Sequence, residues 1–275
     1  MTVLSFSGGT GSGAIAEMLL NGDLRCDTKL LISTADPGME DSRTYEYIAE
    51  TSRRFASAGF EHRIIKTDLF GDFLDAVRNG STRFDTPPFW TKNAKTGKRG
   101  RLLQKCTSAY KIAPMRRLIR ETLQRDFGIN TKSRPPCGSV RSWIGFSADE
   151  ITRIKESDVK YIYNGYPLVA MRMKKTDVVA YYRKIGKHLP PRSVCVACFA
   201  NDIEHFRDMH NSRPDDWAKA VAVDEACRDL RGVGIRDQCF VSSTLVPLKN
   251  LAAGGFRGDS GAQLDENCQS GYCFI

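Results

Sequence analysis

The chain has 275 residues, of which 41% are hydrophobic and 27% charged, and its 41 Lys and Arg against 32 Asp and Glu give a formal net charge of +9. This composition excludes wholesale disorder, and the length allows one large domain or two small ones. No stretch approaches the roughly 20 apolar residues that span a bilayer, and the first residues lack a secretion signal, so we expect a cytoplasmic protein with no membrane partner. The positive charge attracts anions, which range from small substrates to nucleic acids.

The first quarter of the chain alternates between strand and helix patterns. A short apolar run rich in strand-forming residues occupies 2–6, a buried strand is predicted over 29–34 and a further strand over 62–68. Helices are predicted over 14–22, from the spacing of its apolar residues, and over about 42–58. This β-α-β-α-β order predicts an α/β fold, a Rossmann-like parallel sheet flanked by helices. Ligands of such sheets bind outside the carboxyl ends of the strands.

The rest of the chain is less regular. Residues 79–105 are polar and rich in Gly, Pro, Lys and Arg, which predicts a long loop. A basic amphipathic helix is predicted over 108–126, a strand over 141–146, a helix start over 147–154 and a helix over 176–186. Pro and Cys residues recur from Leu189 onwards, and residues 252–273 are rich in Gly.

A glycine-rich loop, Ser7-Gly8-Gly9-Thr10-Gly11-Ser12, joins the first predicted strand to the first helix. Several backbone N–H groups and the positive end of a helix meet at such a loop, which therefore predicts an anion site. It lacks the Lys of a Walker loop and the spacing of a dinucleotide-binding loop. The alternative is a tight strand–helix turn with no ligand.

Nine cysteines in a chain without a secretion signal favour metal or redox chemistry over disulfides. Cys195 and Cys198 form a Cys-x-x-Cys motif, whose two thiolates can bind one metal ion or cluster from a single turn. Further ligands must come from elsewhere in the chain. Zinc in a Cys₄ or Cys₃His site uses the same spacing, with His188 or His205 as candidate ligands.

The glycine-rich loop resembles the S-G-G-x-D-S pyrophosphate loop of the N-type ATP pyrophosphatases, the PP-loop or adenine nucleotide alpha hydrolase family, which includes the phosphoadenylyl-sulfate (PAPS) reductases. Gly11 stands at the family's acidic position. Residues 34–40 with 44–47 resemble the D-T-G-x-E…T-Y-E-Y segment after the second strand, and 105–114 resemble the reductases' C-x-x-x-x-K-x-x-P block. Residues 166–190 resemble the run that leads to a Cys-x-x-Cys, so the ordered matches span roughly residues 3–200.

The resemblance implies a nucleotide site and three catalytic residues. The nucleotide, ATP with Mg²⁺ or PAPS, would contact Ser7, Gly8, Gly9, Thr10, Gly11, Ser12, Asp36, Gly38 and Glu40. Asp36 would contact metal or ribose, as would Glu40, while Lys111 faces the anionic substrate and Arg153 reaches its phosphate. Each residue alone has an ordinary structural alternative: a helix cap or first-turn acid for the two carboxylates, and a solvated helix face for Arg153.

The resemblance also implies a [4Fe–4S] cluster on Cys106, Cys195 and Cys198. Either one iron stays open to bind sulfide, as in the family's thiolating members, or Cys273 or Cys268 is the fourth ligand; zinc is the alternative metal. The predicted activity is ATP-dependent adenylation and sulfur transfer to a nucleic-acid or nucleobase acceptor, with AMP and pyrophosphate as products. A cysteine desulfurase is an expected type of sulfur donor. The alternatives are a sulfonucleotide reductase, although the E-C-G-x-H motif of the PAPS reductases is missing, and a zinc-stabilised nucleic-acid-binding module.

Two further predictions follow. The nucleotide-binding α/β domain should span residues 1–188, and a Cys-containing, mainly helical and loop extension should span 189–275. Lys and Arg gather at 92–101 and at 116–120, which predicts a basic entrance to the nucleotide site and, as a weaker inference, a face for a nucleic acid.

Overall fold

The computed structural model describes residues 1–81, 87–130 and 132–257. Its strands are β1 (Thr2–Ser5), β2 (Leu30–Asp36), β3 (Glu61–Lys66), β4 (Trp90–Lys92), β5 (Arg99–Arg101), β6 (Val140–Trp143), β7 (Ile162–Gly165) and β8 (Gln238–Phe240). Its α-helices are α1 (Thr10–Asn21), α2 (Ser42–Ser57), α3 (Leu69–Asn79), α4 (Ala113–Phe127), α5 (Pro167–Ala170), α6 (Lys175–Lys184), α7 (Ile203–Ser212), α8 (Pro214–Ala226) and α9 (Leu248–Ala253).

The central sheet is five-stranded and entirely parallel, in the order β3-β2-β1-β6-β7. The predicted α/β fold with a parallel sheet is therefore confirmed. β1 pairs with β2 on one side and with β6 on the other, so the chain changes direction across the sheet at β1 and β6. A crevice opens at such a point, because the loops that follow the two strands diverge to opposite faces.

Apolar side chains of the sheet pack on both faces. Leu4 and Ile32 join a cluster with α1, α2 and α6, whereas Val3 and Leu31 join a second cluster with α4. Neighbouring residues of one strand thus point to opposite sides, as the period of two requires. Because both faces are covered, β1 and β2 are largely buried, whereas the edge strand β3 is polar and partly exposed.

A third apolar cluster involves the second half of the chain. It combines Phe73 of α3 and Phe89 with Phe206 of α7, Val223 of α8 and Leu248 of α9. The division of the chain at residue 188 stays a prediction, although the packing shows α3 and Phe89 in contact with helices far along the sequence. No helix in the described part of the chain is both long and apolar enough to cross a membrane.

The structure corrects the long loop predicted for residues 79–105. β4 and β5 form an antiparallel hairpin there, and β8 pairs with the other edge of β4, giving a three-stranded sheet in the order β5-β4-β8.

The sequence patterns do not predict helix α3. Asp68 caps its first turn by accepting a hydrogen bond from the Gly71 N–H, and Gly80 ends it in the left-handed conformation.

Candidate active site

The glycine-rich loop lies at the carboxyl end of β1 and leads directly into α1. Gly8 adopts a φ of 77°, and Gly9 precedes the helix without a side-chain cap. The first turn of α1 contains no acidic residue. The N–H groups of a first helical turn have no partner within the helix, and residues 9–12 line a cavity, so these groups and the positive end of the helix dipole suit an anion.

Two serines hold this loop closed. The Ser7 N–H donates to Ser12 Oγ at 3.2 Å, the two hydroxyls lie 3.1 Å apart, and the Gly9 N–H donates to Ser7 Oγ at 3.3 Å. Ser12 Oγ also donates to the Gly9 carbonyl at 3.3 Å. These bonds fix the loop before any ligand arrives, so little ordering would be needed on binding.

The structure gives a physical reason for glycine at position 11. A Cβ atom there would lie 1.9 Å from the Gly145 carbonyl oxygen, and a Cβ at Gly145 would lie 2.3 Å from the Ser12 nitrogen. The backbone at the start of α1 thus lies in direct contact with the backbone of the segment after β6. A carboxylate cannot occupy position 11 while the two segments are this close.

The crevice between β1 and β6 contains a cavity of about 540 Å³. Its walls combine the glycine-rich loop, the segment after β6 and the segment from residue 189 to 200; they include Gly9, Thr10, Gly11, Ser12, Gly145, Phe146, Arg153, Arg192, Ser193 and Cys198. The cavity therefore places the anion site, a buried arginine and one thiol of the Cys-x-x-Cys motif around a single space.

Arg153 is buried in this wall. Its guanidinium donates to Glu150 and lies 3.9 Å from the centroid of the Phe146 ring. Glu150 also accepts from the backbone N–H and hydroxyl of Ser147. These contacts fix the guanidinium at the cavity, and its contact with a phosphate stays a prediction.

Asp36 ends β2 and shapes the turn that follows. Its Oδ1 accepts hydrogen bonds from the Gly38 N–H at 2.8 Å and from the Tyr45 hydroxyl at 2.7 Å. Burial, together with the adjacent Asp36 carboxylate, raises the pKa of Tyr45, so Tyr45 stays a neutral donor. Gly38 needs its φ of 93° for this turn, which brings Glu40 towards the interior.

Glu40 forms a buried ion pair with Lys111. Lys111 Nζ lies 3.1 Å from Glu40 Oε1, and the residues are 7% and 5% exposed. The Cys195 thiol donates to the same oxygen at 3.9 Å, while Glu40 Oε2 is buried and has no hydrogen-bond partner among the described residues. The Glu40 carboxylate, a predicted nucleotide ligand, thus contacts both the predicted catalytic residue Lys111 and the predicted metal ligand Cys195.

Backbone bonds attach the cysteine turn to the segment after β2. Glu40 and Cys195 form an antiparallel bridge, with the Val196 N–H donating to the Met39 carbonyl at 2.9 Å and the Asp41 N–H to the Val194 carbonyl at 3.0 Å. The Cys198 N–H closes the turn onto the Cys195 carbonyl at 3.0 Å. The position of the two thiols is therefore tied to that of the predicted nucleotide segment.

Three of the predicted metal-binding thiols lie in the described residues. Cys106 and Cys195 pack against the same apolar cluster, and Cys198 lines the cavity. Within the described ranges, no group of three or more His, Cys, Asp and Glu side chains is arranged to hold a metal ion. Cys268 and Cys273 lie outside the described residues, so the predicted ligand set stays a prediction.

A second cavity of about 970 Å³ adjoins the first, with Ser5 and Ile144 in the walls of both. Cations of the π-helical turn at 108–112 and of α4 line it, namely Lys111, Arg116, Arg117 and Arg120. Arg116 is paired with Asp158 across this cavity. The two cavities together give an anionic ligand room on both sides of the end of β1.

Sequence reasoning missed several residues of the site. Gly145 and Ser193 lie in the cavity wall, and Asp41 forms a buried network with Arg213, whose Nε lies 3.3 Å away, and with His205, whose Nε2 lies 3.7 Å away. Gly145 could have been found from its place near the carboxyl end of the strand predicted over 141–146, where ligands of parallel sheets bind. No local pattern connects Asp41 with two residues more than 160 positions later.

The fold and the cavity define a Rossmann-like α/β protein with an anion cradle beside a thiol pair. No family model matches the chain, and no curated protein matches its sequence. Among 27 matching chains of known structure is the U34-tRNA thiolase NcsA from Methanococcus maripaludis with its [4Fe-4S] cluster, which is 13% identical. That match covers 94% of this chain and 81% of the other with a TM-score of 0.40. A similarity of this degree does not define a function.

Proposed function

We propose that the chain is a PP-loop enzyme that cleaves ATP to AMP and pyrophosphate, adenylates a nucleobase-type oxygen of a nucleic-acid acceptor, and replaces that oxygen by sulfur. The observation that carries the proposal is the cavity shared by the glycine-rich loop and Cys198. A phosphate bound on the loop lies in the same space as a thiol, which is the arrangement that activation followed by sulfur transfer needs.

The first step forms a bond between the acceptor oxygen and the α-phosphorus of ATP and breaks the bond from the α-phosphorus to the bridging oxygen. Pyrophosphate leaves with the electron pair of that bond. The open N–H groups of α1 would stabilise the departing phosphates, and Arg153 and Lys111 would balance charge on the phosphoryl oxygens. Mg²⁺ bound with the nucleotide would lower the barrier further.

The second step is a substitution without any change of oxidation state. Hydrogen sulfide anion adds to the activated carbon, the carbon–oxygen bond breaks, AMP leaves with the oxygen, and the sulfide proton passes to solvent. The acceptor thus exchanges a C=O group for a C=S group, and ATP supplies the driving force. A cysteine desulfurase is one type of protein that could supply the sulfur.

The thiols fit a metal or cluster by their chemistry. Cys106, Cys195 and Cys198 would hold a [4Fe–4S] cluster, a group that would supply iron able to bind sulfide where no fourth protein ligand occupies it. Cys273, as a fourth ligand, would close that position. The bridge to Glu40 and the Asn201 side chain, which donates to the carbonyls of Cys195 and Val196 at 3.0 and 3.2 Å, hold the turn in place.

The test uses the full chain purified without oxygen, with ATP, sulfide and a small-RNA or single-stranded DNA acceptor. We expect AMP and pyrophosphate in equal amounts, formed only with acceptor present, and iron and acid-labile sulfide in the protein. Cys198→Ser should abolish thiolation, whereas the matched control Cys137→Ser, at an exposed cysteine outside the cavity, should not.

Three outcomes would contradict the proposal or part of it. Formation of ADP would show cleavage at the wrong phosphorus. Sulfite release from PAPS in the presence of a thiol donor, without pyrophosphate release from ATP, would favour the sulfonucleotide reductase. A colourless protein with stoichiometric zinc would remove the iron–sulfur part and favour a zinc-stabilised binding module if ATP also failed to raise the melting temperature.

A further inference from the structure

The hairpin of β4 and β5 concentrates positive charge on one arm of the molecule. Residues 90–101 contain five Lys and Arg, at positions 92, 95, 98, 99 and 101, and no Asp or Glu. All five side chains belong to exposed residues. We call this arm the basic hairpin. Its five positive charges compare with a net charge of +9 for the whole chain.

The strand register places the cations of the two strands on one face. Trp90 pairs with Arg101 and Lys92 with Arg99, and residues two apart on a strand share a face. Thr91, between them on the opposite face, is buried. One face of the basic hairpin therefore packs on the protein while the other presents Lys92, Arg99 and Arg101 together with Trp90.

Cation–aromatic contacts anchor this face beside the cysteine turn. The Arg99 guanidinium lies 5.3 Å from the Trp90 ring centroid, and that of Arg101 lies 5.8 Å from Trp90 and 4.8 Å from Phe199. The Trp90 indole N–H donates to the Phe199 carbonyl at 2.8 Å. Phe199 directly follows Cys198, so the positively charged face begins next to the cavity that holds the thiol.

The tip of the basic hairpin is ordered by its own hydrogen bonds. Asn93 Oδ1 accepts from the N–H groups of Lys95 and Thr96 at 3.1 and 2.9 Å, and the Asn93 N–H donates to the Lys98 carbonyl at 2.9 Å. Asp237 accepts from Asn93 and Ala94, each at 3.4 Å, and fixes the tip to the body. The lysines at the tip thus project from a preformed turn, and binding them costs little backbone entropy.

We infer that the basic hairpin is the docking surface for the phosphodiester backbone of a nucleic-acid strand, which it holds with the target base directed to the cavity at Cys198. Spaced exposed cations on a rigid ribbon complement a polymer that carries one negative charge per nucleotide. The exposed Arg236, which lines a small cavity with Lys92, extends the same surface. The role of the strand as acceptor rests on the function proposed above; the binding itself does not.

The test compares two variants of equal charge. Lys92→Ala/Lys95→Ala/Lys98→Ala removes three cations of the basic hairpin and leaves Arg99 and Arg101 in place. Arg183→Ala/Lys184→Ala/Lys219→Ala removes three exposed cations from α6 and α8. Binding of a fluorescein-labelled 30-nucleotide single-stranded RNA, and of DNA of the same sequence, is measured by anisotropy between 50 and 200 mM salt.

We expect the hairpin variant to bind about 10–100-fold more weakly at 100 mM salt, with a log–log salt slope smaller by about 2, because three phosphate contacts at about 0.7 each are lost. The control variant should bind within about threefold of the wild type, and Lys92→Arg/Lys95→Arg/Lys98→Arg should restore binding. Preference for the RNA or the DNA probe identifies which polymer is the partner.

Equal binding by the hairpin and control variants would overturn the inference, as would failure of the wild-type protein to bind either probe. Displacement of the probe by polyglutamate as readily as by unlabelled RNA would point to an acidic protein instead. ATP should raise the melting temperature of both variants equally. If binding depends on the hairpin but no pyrophosphate is released from ATP, the proposed function fails and the docking surface stands.

Discussion

The close approach of Gly11 and Gly145 predicts that any side chain at position 11 damages the site. Gly11→Ala would place a methyl carbon 1.9 Å from the Gly145 carbonyl oxygen, and the obstacle is backbone, which cannot rotate aside. Overpacking of this kind typically costs about 1–3 kcal/mol, and we expect the upper end of that range. For a chain of this size the melting temperature should fall by roughly 6 °C or more.

The assay is urea unfolding followed by circular dichroism, together with the rise in melting temperature caused by ATP. Gly232→Ala is the control, because a Cβ there meets no atom within 4 Å. It should change the free energy of unfolding by less than about 1 kcal/mol. Gly11→Asp should have the same clash and, in addition, a carboxylate that repels the phosphates of ATP. We therefore expect ATP not to raise the melting temperature of this variant. A Gly11→Ala protein that unfolds at the same urea midpoint as Gly232→Ala and still responds to ATP would refute the reasoning.

Three more predictions concern buried polar groups. Lys111→Met should cost about 3–5 kcal/mol in urea unfolding because it leaves the buried Glu40 carboxylate without its cation, and Glu40→Gln in the same chain should recover most of that loss. Burial lowers the pKa of His62 to about 4 in the folded chain. As the pH falls below 6.5, His62 is therefore protonated in the unfolded chain before it is protonated in the folded one. Stability should therefore decrease between pH 6.5 and 4, by at most about 3 kcal/mol and less where solvent reaches the ring, and His62→Gln should flatten this dependence. Asp224→Ala should cost about 3 kcal/mol, since it strands two buried N–H groups now bonded at 3.0 Å, whereas Asp229→Asn on the surface should leave the urea midpoint unchanged.

Local patterns were enough for four strands of the sheet and its first helices, whereas β7 was not predicted. β1 and β2 are largely apolar runs followed by turn residues, and Gly22 closes α1 in the left-handed conformation, as a helix end favours. The start of α1 was placed too late, at residue 14 instead of Thr10, because the glycines that suit a phosphate loop also lower helix propensity. There the requirements of the site outweigh those of the helix.

The basic hairpin could not be predicted for a different reason. β4 is completed by β8, and Trp90 pairs with Phe240, 150 residues later. The strand Arg99–Arg101 has no apolar alternation of its own, so its pairing depends on partners that no local pattern reveals. Likewise, the spacing of Cys195 and Cys198 suggested a thiol pair, but nothing in it indicated that Glu40 lies 3.9 Å from one thiol.

The bridge between residues 39–41 and 194–196 implies that the nucleotide segment and the cysteine turn move as one unit. Val196→Pro would delete the N–H that bonds to the Met39 carbonyl at 2.9 Å, whereas Cys195→Ser removes a thiol and leaves the bridge intact. We therefore expect the serine variant to lose sulfur transfer but keep ATP-dependent pyrophosphate release. The proline variant, assayed below its melting temperature, should lose both.

The two variants distinguish the role of the Cys195 thiol from the role of the backbone bonds around it. Cys195 supplies a sulfur atom, while the backbone around it fixes Glu40 and, through Glu40, the buried Lys111. If Val196→Pro retains wild-type ATP affinity and pyrophosphate release, the bridge does not couple the two halves of the site. If Cys195→Ser loses ATP binding as well, the thiol supports the nucleotide segment through its own contact with Glu40, and the contribution of the backbone bonds is the smaller one.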